Sequence, residues 1–502
     1  MTDLTNLRAH LATIGDLHSA AALLRWDQET YMPPGGAGVR AHQLATLSRL
    51  AHERFISPLT GSLLDEAEPL RSRLAPDSDD AALLRVTRRD FDRDRKLPAE
   101  FVEDRARAVS ESTEVWRNAR PANDFPAFRP HLARMVEFAR RAADYLGYTQ
   151  HPYDALLDEY EPETTTRDVA ALFDRLREVT VPLVRAIVAR GEVADARFLD
   201  REYAEEPVRG FALSLIRAFG FDTARGRLDT SAHPFSTGFG RGDVRITTRY
   251  PRRSLGALFG AFHEAGHAMY TQGSAPSLER TPLDAGASYG IHESQSRLWE
   301  NLVGRSRPFW QYAFPGLRQV FPAHLGSVDA DTFYRAVNRV RPSLIRVEAD
   351  EVTYNLHIIL RFELEQALVA GDVDVKDLPD AWNAKMAEFL GVTPPNDADG
   401  VMQDIHWSAG LIGYFPSYTI GNVASVQLFE AARRARPRLV EDIRGGRFSA
   451  LLGWLREHVH AHGRKFLPRD LLLRATGGPL TPEPYLRYLR EKFGEIYGLG
   501  AA

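Results

Sequence analysis

The chain of 502 residues contains no cysteine. That absence excludes disulfide scaffolds, thiolate catalysis and thiolate-ligated structural zinc, so any transition metal bound here must rely on histidine and carboxylate groups. Long apolar runs are missing as well: no stretch reaches the roughly 18 uninterrupted apolar residues of a membrane-spanning helix, which argues against a membrane partner. Net charge is small, -4 at pH 7, and offers nothing to attract nucleic acid. Lysine is scarce beside arginine. Where basic residues cluster, as from Arg85 to Arg95, aspartates interleave them, the pattern of a solvated helix face laced with ion pairs. The amino-terminal residues mix Arg8, His10 and Asp16 among apolar positions, unlike the charged-then-apolar layout of a secretory leader, so a cytoplasmic location is expected.

What is present is mostly helical periodicity. Apolar residues recur at helical spacing over Ala41 to Phe55, Pro98 to Arg117, Phe128 to Leu146, Arg167 to Ala189, Ser288 to Val303, Ser343 to Ala370 and Phe429 to Val459. Turn chemistry such as Pro33-Pro34-Gly35-Gly36 separates these segments, but no low-complexity linker or repeat marks a boundary. The expectation is a mostly α fold, one large domain over 1–502 with room for two lobes. Asp243 to Tyr250 alternates as a strand does, so a small β-sheet is expected just before the next element.

That element carries the chemistry. His263-Glu264-Ala265-Gly266-His267 lies in an apolar, helix-forming run, with Ser254 as a candidate cap and Gly273 as a candidate stop. Histidines at i and i+4 share one helical face about a turn apart, so both imidazoles can reach one Zn²⁺ at roughly 2.0–2.1 Å. Glu264 then lies beside the metal as a general base. Such ligands also accept Co²⁺ or Mn²⁺. Gly266 inside the helix costs about 1 kcal/mol relative to alanine and predicts close approach by another element.

A third ligand must come from elsewhere, because position 273 is glycine and extended three-histidine motifs are ruled out. Glu293, on a candidate helix from Ser288, leads; Glu300 two turns on and Glu279 or Asp284 in the connecting loop stay open. Arg346 could bind a substrate carboxylate with its planar fork, or pair with Asp350 at i+4 on an exposed helix. Arg245, on what reads as an edge strand, is the reserve. His406, Tyr414 and Tyr418, in one glycine-punctuated block, are candidate donors to a developing oxyanion. His292 is placed to contact substrate or to orient Glu293, and His233 and Asp404 are candidate groove or outer groups.

These residues fall into ordered blocks: His233-Pro234-Phe235, Asp243 to Thr247, His263 to His267, His292 to Gln295, Ile345 to Asp350, and Gly400 to Trp407, with Trp26 to Pro34 before them. In this the chain resembles the carboxypeptidase Taq family of zinc metallocarboxypeptidases over nearly its whole length. The resemblance implies a helical ellipsoid with a deep groove over the metal, a homodimer, and broad-specificity removal of residues from peptide C-termini. It also implies His263, His267 and Glu293 as zinc ligands, Glu264 as base and Arg346 as the carboxylate reader. Two other readings stand beside it: a zinc oligopeptidase that cuts internally, and a peptide-binding helical protein that keeps zinc for structure.

Overall fold

The computed structural model describes residues 4–499. They are largely helical, with one three-stranded sheet, and divide into two compact units. The first is built from the chain up to Arg95 together with Asp195–Val337 and Ala424–Leu480; the second from Lys96–Ala194, Asn338–Val423 and the chain from Thr481.

In the first unit the sheet comprises β1 (Gly226–Thr230), β2 (Ser236–Gly238) and β3 (Val244–Thr248) in the order β1-β3-β2, with β1 parallel and β2 antiparallel to β3. The alternating segment is therefore the central strand, not the edge strand expected, because a neighbour on each side satisfies its backbone groups. The helix Gly256–Gln272, here the histidine helix, follows directly. Its N-cap is Leu255, without a side-chain cap, and not the Ser254 expected; the Ser254 hydroxyl instead accepts a hydrogen bond from the Gly256 N–H at 2.8 Å just before the first turn. Ala257, Leu258, Phe259, Ala261, Phe262, Ala265 and Met269 are all buried, so this helix is enclosed on most of its faces. Phe262 belongs to an aromatic core: Phe219 contacts Phe262, Trp299 and Phe448 with ring centroids 5.2, 4.9 and 4.9 Å away.

The helix Tyr289–Arg297, here the glutamate helix, is capped by the Ser288 hydroxyl, which accepts from the Ile291 N–H at 3.0 Å. It continues into a π-helical turn, Leu298–Val303, a rare conformation that recurs at functional sites. The two helices meet at Gly266. A Cβ there would lie 2.5 Å from the Gln295 carbonyl oxygen and 2.6 Å from the Ser296 Cα. The close approach expected from a mid-helix glycine is thus made by the element that carries Glu293.

In the second unit, regular helix begins at Tyr354 (Tyr354–Ala370), eleven residues later than the periodicity from Ser343 suggested. Pro342 disfavours helix upstream, and half-buried Asp350 accepts hydrogen bonds from the backbone N–H groups of Arg341, Val352 and Thr353 at 2.9, 2.9 and 3.0 Å, fixing a turn instead. The long period from Phe429 to Val459 likewise breaks, at Pro437 and at Gly445-Gly446, into the end of Pro416–Ala435 and the separate helices Leu439–Arg444 and Ser449–His458. Among the described residues no helix is long and apolar enough to cross a membrane.

Gly266→Ala should destabilise the protein by about 1–3 kcal/mol despite alanine's better helix propensity, because the clash is with backbone that must move. It should also displace Glu293, and would weaken any metal bound through that carboxylate. Thermal unfolding and a metal titration check both; an unchanged variant would show that the contact is not constraining.

Candidate active site

The histidine and glutamate helices bring His263, His267 and Glu293 together with candidate ligand atoms all within 4.8 Å of one another. Both imidazoles turn Nε2 towards the same carboxylate oxygen, Glu293 Oε2, at 3.5 and 3.4 Å. Their other nitrogens are held from behind. His263 Nδ1 lies 2.9 Å from Glu300 in the π turn, and His267 Nδ1 lies 2.6 Å from His292 Nδ1. Ligating histidines are usually oriented in this way through the second ring nitrogen. Glu300 therefore acts behind His263, and His292 orients His267 rather than Glu293. Glu279 is exposed and Asp284 accepts from the Ser274 hydroxyl at 2.6 Å, so neither loop acid joins the cluster.

Glu293 is 5% exposed. Burial opposes its ionisation, yet Arg297, His263 and His267 hold its carboxyl well below the usual carboxylate range. Arg297 Nε donates to Glu293 at 2.6 Å and the Ser296 hydroxyl donates at 3.0 Å. Glu300 is held down to about 2: burial opposes its charge, but Arg297, His263 and Arg305 outweigh it. His263 is pushed up to about 9; burial disfavours its charge, but Glu293, Glu300 and Glu264 prevail. Three carboxylates thus face two guanidinium groups, and with neutral imidazoles the cluster carries surplus negative charge. A divalent cation fits this donor set and charge. Glu264 is buried at the same place, and burial, reinforced by Glu293 and Glu300, raises its carboxyl against the pull of His263 and His267.

A buried imidazole that no local pattern revealed supports the cluster. His460 Nε2 lies 2.9 Å from Gln295 Oε1 on the glutamate helix, and its ring packs 5.2 Å from Tyr270. Arg297 was legible as an i+4 partner of Glu293, whereas His460 lies 165 residues from Gln295 and carried no signal.

Of the remaining candidates of the first unit, Arg245 lies on β3 and His233 between β1 and β2. Arg245 pairs with Asp243 at 2.9 and 2.8 Å and lies 4.2 Å over the Trp26 ring. His233 is exposed in the β1–β2 connection, where its carbonyl accepts from the Ser231 hydroxyl at 2.5 Å.

The second unit gathers the others. Arg346, 5% exposed, donates from Nε and Nη2 to Asp404 Oδ1 at 3.0 and 2.7 Å and from Nη1 to the Tyr354 hydroxyl at 2.9 Å. Its partner is Asp404, not Asp350. Arg361 binds the other oxygen of Asp404 at 2.7 Å. Burial opposes the charge of Asp404, and the two guanidinium groups hold its carboxyl far below the usual range. His406 Nε2 lies 3.1 Å from the Tyr418 hydroxyl, while Tyr414 contacts His406 through its ring at 5.4 Å. Burial and the nearby Arg346 lower His406 to about 3.

A helical chain that converges two imidazoles and a carboxylate beside a further buried carboxylate defines a metal-dependent hydrolase. The chain belongs to the carboxypeptidase Taq (M32) metallopeptidase family, whose model matches residues 6–493. It is 44% identical to thermostable carboxypeptidase 1 of Thermus thermophilus over 98% of this chain and 97% of that one, and 37% identical to carboxypeptidase 1 of Bacillus subtilis over 97% of each. The crystal structure of an M32 carboxypeptidase from Deinococcus radiodurans R1 superposes with a TM-score of 0.96 at 46% identity, covering 99% of this chain and 100% of that one. The protein is accordingly a peptide hydrolase of the metallocarboxypeptidase type.

Burial, reinforced by Arg456, also lowers His460 to about 3, against roughly 6.5 in an unfolded chain. The unfolded state then binds the extra proton, so stability is fully present above about 6.5 and is lost as pH falls towards 3, by up to about 1.4 kcal/mol per pH unit. His460→Gln should flatten this decline in metal-free protein, as read by thermal unfolding across pH; an unaltered slope would assign the decline to other groups.

Proposed function

We propose that this chain is a zinc-dependent metallocarboxypeptidase that removes residues stepwise from the free C-termini of peptides with broad specificity. The observation that carries this reading is the convergence of His263, His267 and Glu293 beside Glu264, in a chain 44% identical to a thermostable carboxypeptidase. Zn²⁺ suits the His/His/Glu donors, and Co²⁺ or Mn²⁺ could replace it. Held by His263, His267 and Glu293, such an ion would supply Lewis acidity, lowering the pKa of water towards about 7 and polarising a peptide carbonyl.

The chain's own residues divide the remaining work. Glu264 takes the proton of the attacking water and returns it to the amine nitrogen of the leaving residue. Its raised carboxyl suits both transfers. Glu300 and His292 hold the two imidazoles in orientation. His406 and Tyr418 supply a hydrogen-bond donor to the oxyanion that develops on the former carbonyl, with Tyr414 as the neighbouring alternative. His406 stays neutral near pH 7 because its pKa is lowered to about 3. Arg346 reads the terminal carboxylate: Asp404 fixes its fork, and Arg346 and Arg361 together outweigh the single charge of Asp404. Arg245 and His233 contact more distant parts of the peptide. No covalent intermediate is required. A homodimer and a cytoplasmic location belong to the same proposal, the first tested by light scattering and the second by cell fractionation.

The test is digestion of two peptides identical except for a free or amidated C-terminus, followed by mass spectrometry with a chelator control. Stepwise shortening of the free acid alone, abolished by chelator, is the expected result. Internal cuts in both peptides would replace this reading with that of an oligopeptidase. Glu264→Gln should lower turnover by at least about 10²-fold while the metal stays bound, measured by rate assay and metal analysis. Substantial activity in that variant would remove Glu264 from the role of base.

A further inference from the structure

The helix Tyr354–Ala370 carries a carboxylate that the reaction does not use. Glu365 is wholly buried and accepts three hydrogen bonds: from the Tyr153 hydroxyl at 2.6 Å, the Trp407 indole N–H at 2.8 Å and the Gly413 N–H at 3.1 Å. All three donors are neutral. Burial pushes its carboxyl up to about 7 against these bonds and the pull of Arg361, so a charge here is costly to the fold.

The arrangement of donors shows what the carboxylate holds. Arg361, one turn earlier on the same face of the helix, grips Asp404 at 2.7 Å and Gln403 Oε1 at 2.8 Å. The segment from 403 to 413 is therefore tied to one helix at four positions: 403 and 404 by Arg361, 407 and 413 by Glu365. His406 lies inside this span, next to a tethered residue and two from another. Gly413 adopts φ +102°, and a Cβ there would lie 2.9 Å from the Leu156 backbone, so this stretch is also pressed against the short helix Pro152–Leu157 that supplies Tyr153. The Trp407 ring, whose N–H Glu365 holds, stands edge-on to Trp382 at 5.8 Å.

We propose that Glu365 is a positioning residue of the hydrolytic reaction, tethering Trp407 and Gly413 so that His406 is held ready to act. This rests on the reading that His406 contributes to hydrolysis. A carboxylate is required because it offers about four acceptor sites to three donors. A glutamine carbonyl offers about two, and its amide would turn an N–H towards a donor. At least one buried donor then loses its partner.

A double-mutant cycle on the full-length, metal-loaded enzyme separates positioning from general support. Glu365→Gln should lower kcat on a free-acid peptide about tenfold, leave KM within about twofold, and cost less than about twofold when His406 is already alanine. Equal factors in both backgrounds, or no loss in the single variant, would overturn the proposal. If His406→Ala itself kept full activity, the role of His406 would fail and the inference with it. That result is distinct from an inactive His406→Ala beside an active Glu365→Gln, which overturns the inference alone. Should Glu365→Gln not fold, Trp407→Phe removes one donor and leaves the carboxylate intact. A loss of about threefold that disappears in the His406→Ala background is expected, and a loss that persists there would count against the tether.

Discussion

Glu293 is a carboxylate withdrawn almost entirely from water, a placement that costs several kcal/mol unless every lone pair and the charge itself are met. Much of the first unit can be traced to meeting that requirement. Arg297, one turn along the same helix, and the Ser296 hydroxyl supply direct bonds, and two imidazoles turn their Nε2 atoms towards it. The imidazoles are in turn fixed by Glu300 and His292. With both imidazoles neutral, as metal ligands must be, the carboxylates outnumber the guanidinium groups around them, and a divalent cation would balance the cluster. Metal affinity and local stability would then be coupled there.

This arrangement depends on distance as much as on charge. Glycine at 266 lets the histidine helix and the glutamate helix pass with backbone almost in contact, and the π turn after Arg297 carries Glu300 on to His263. Behind the pair, Gln295 is held by His460 and Phe262 by an aromatic core, so the donor atoms rest on packed, buried elements. Such support is what keeps a binding constellation in a single geometry.

The second unit solves a similar problem with the opposite sign. Arg346 and Arg361 share Asp404, which leaves excess positive charge in an enclosed setting; burial first, and then this charge, keep His406 uncharged. The helix from Tyr354 provides both Arg361 and Glu365, one turn apart, and so serves as the frame on which the segment bearing His406 is hung. A helical reading from Ser343 missed the turn before this frame, because an aspartate accepting from three backbone N–H groups has no periodic signature. For the same reason Arg346 found its partner at Asp404, 58 residues away, and not four residues on.

By itself the sequence determined whatever depends on local spacing. Histidines at i and i+4 with a glutamate between them share a helical face wherever that helix lies, a glycine in its middle demands a close neighbour, and an absence of cysteine restricts the metal donors. The predominance of helix was legible for the same reason, since a period near 3.6 residues is a property of neighbours along the chain. Only the tertiary structure set Glu293, and not Glu300, Glu279 or Asp284, among the imidazoles, made β3 a central strand, paired His406 with Tyr418 and not with Tyr414 by hydrogen bond, set His460 against Gln295, and set Arg361 and Glu365 against the segment from Gln403 to Gly413. Those choices are made by packing and by the cost of burying charge. Both join residues tens to hundreds of positions apart and leave no periodicity to read.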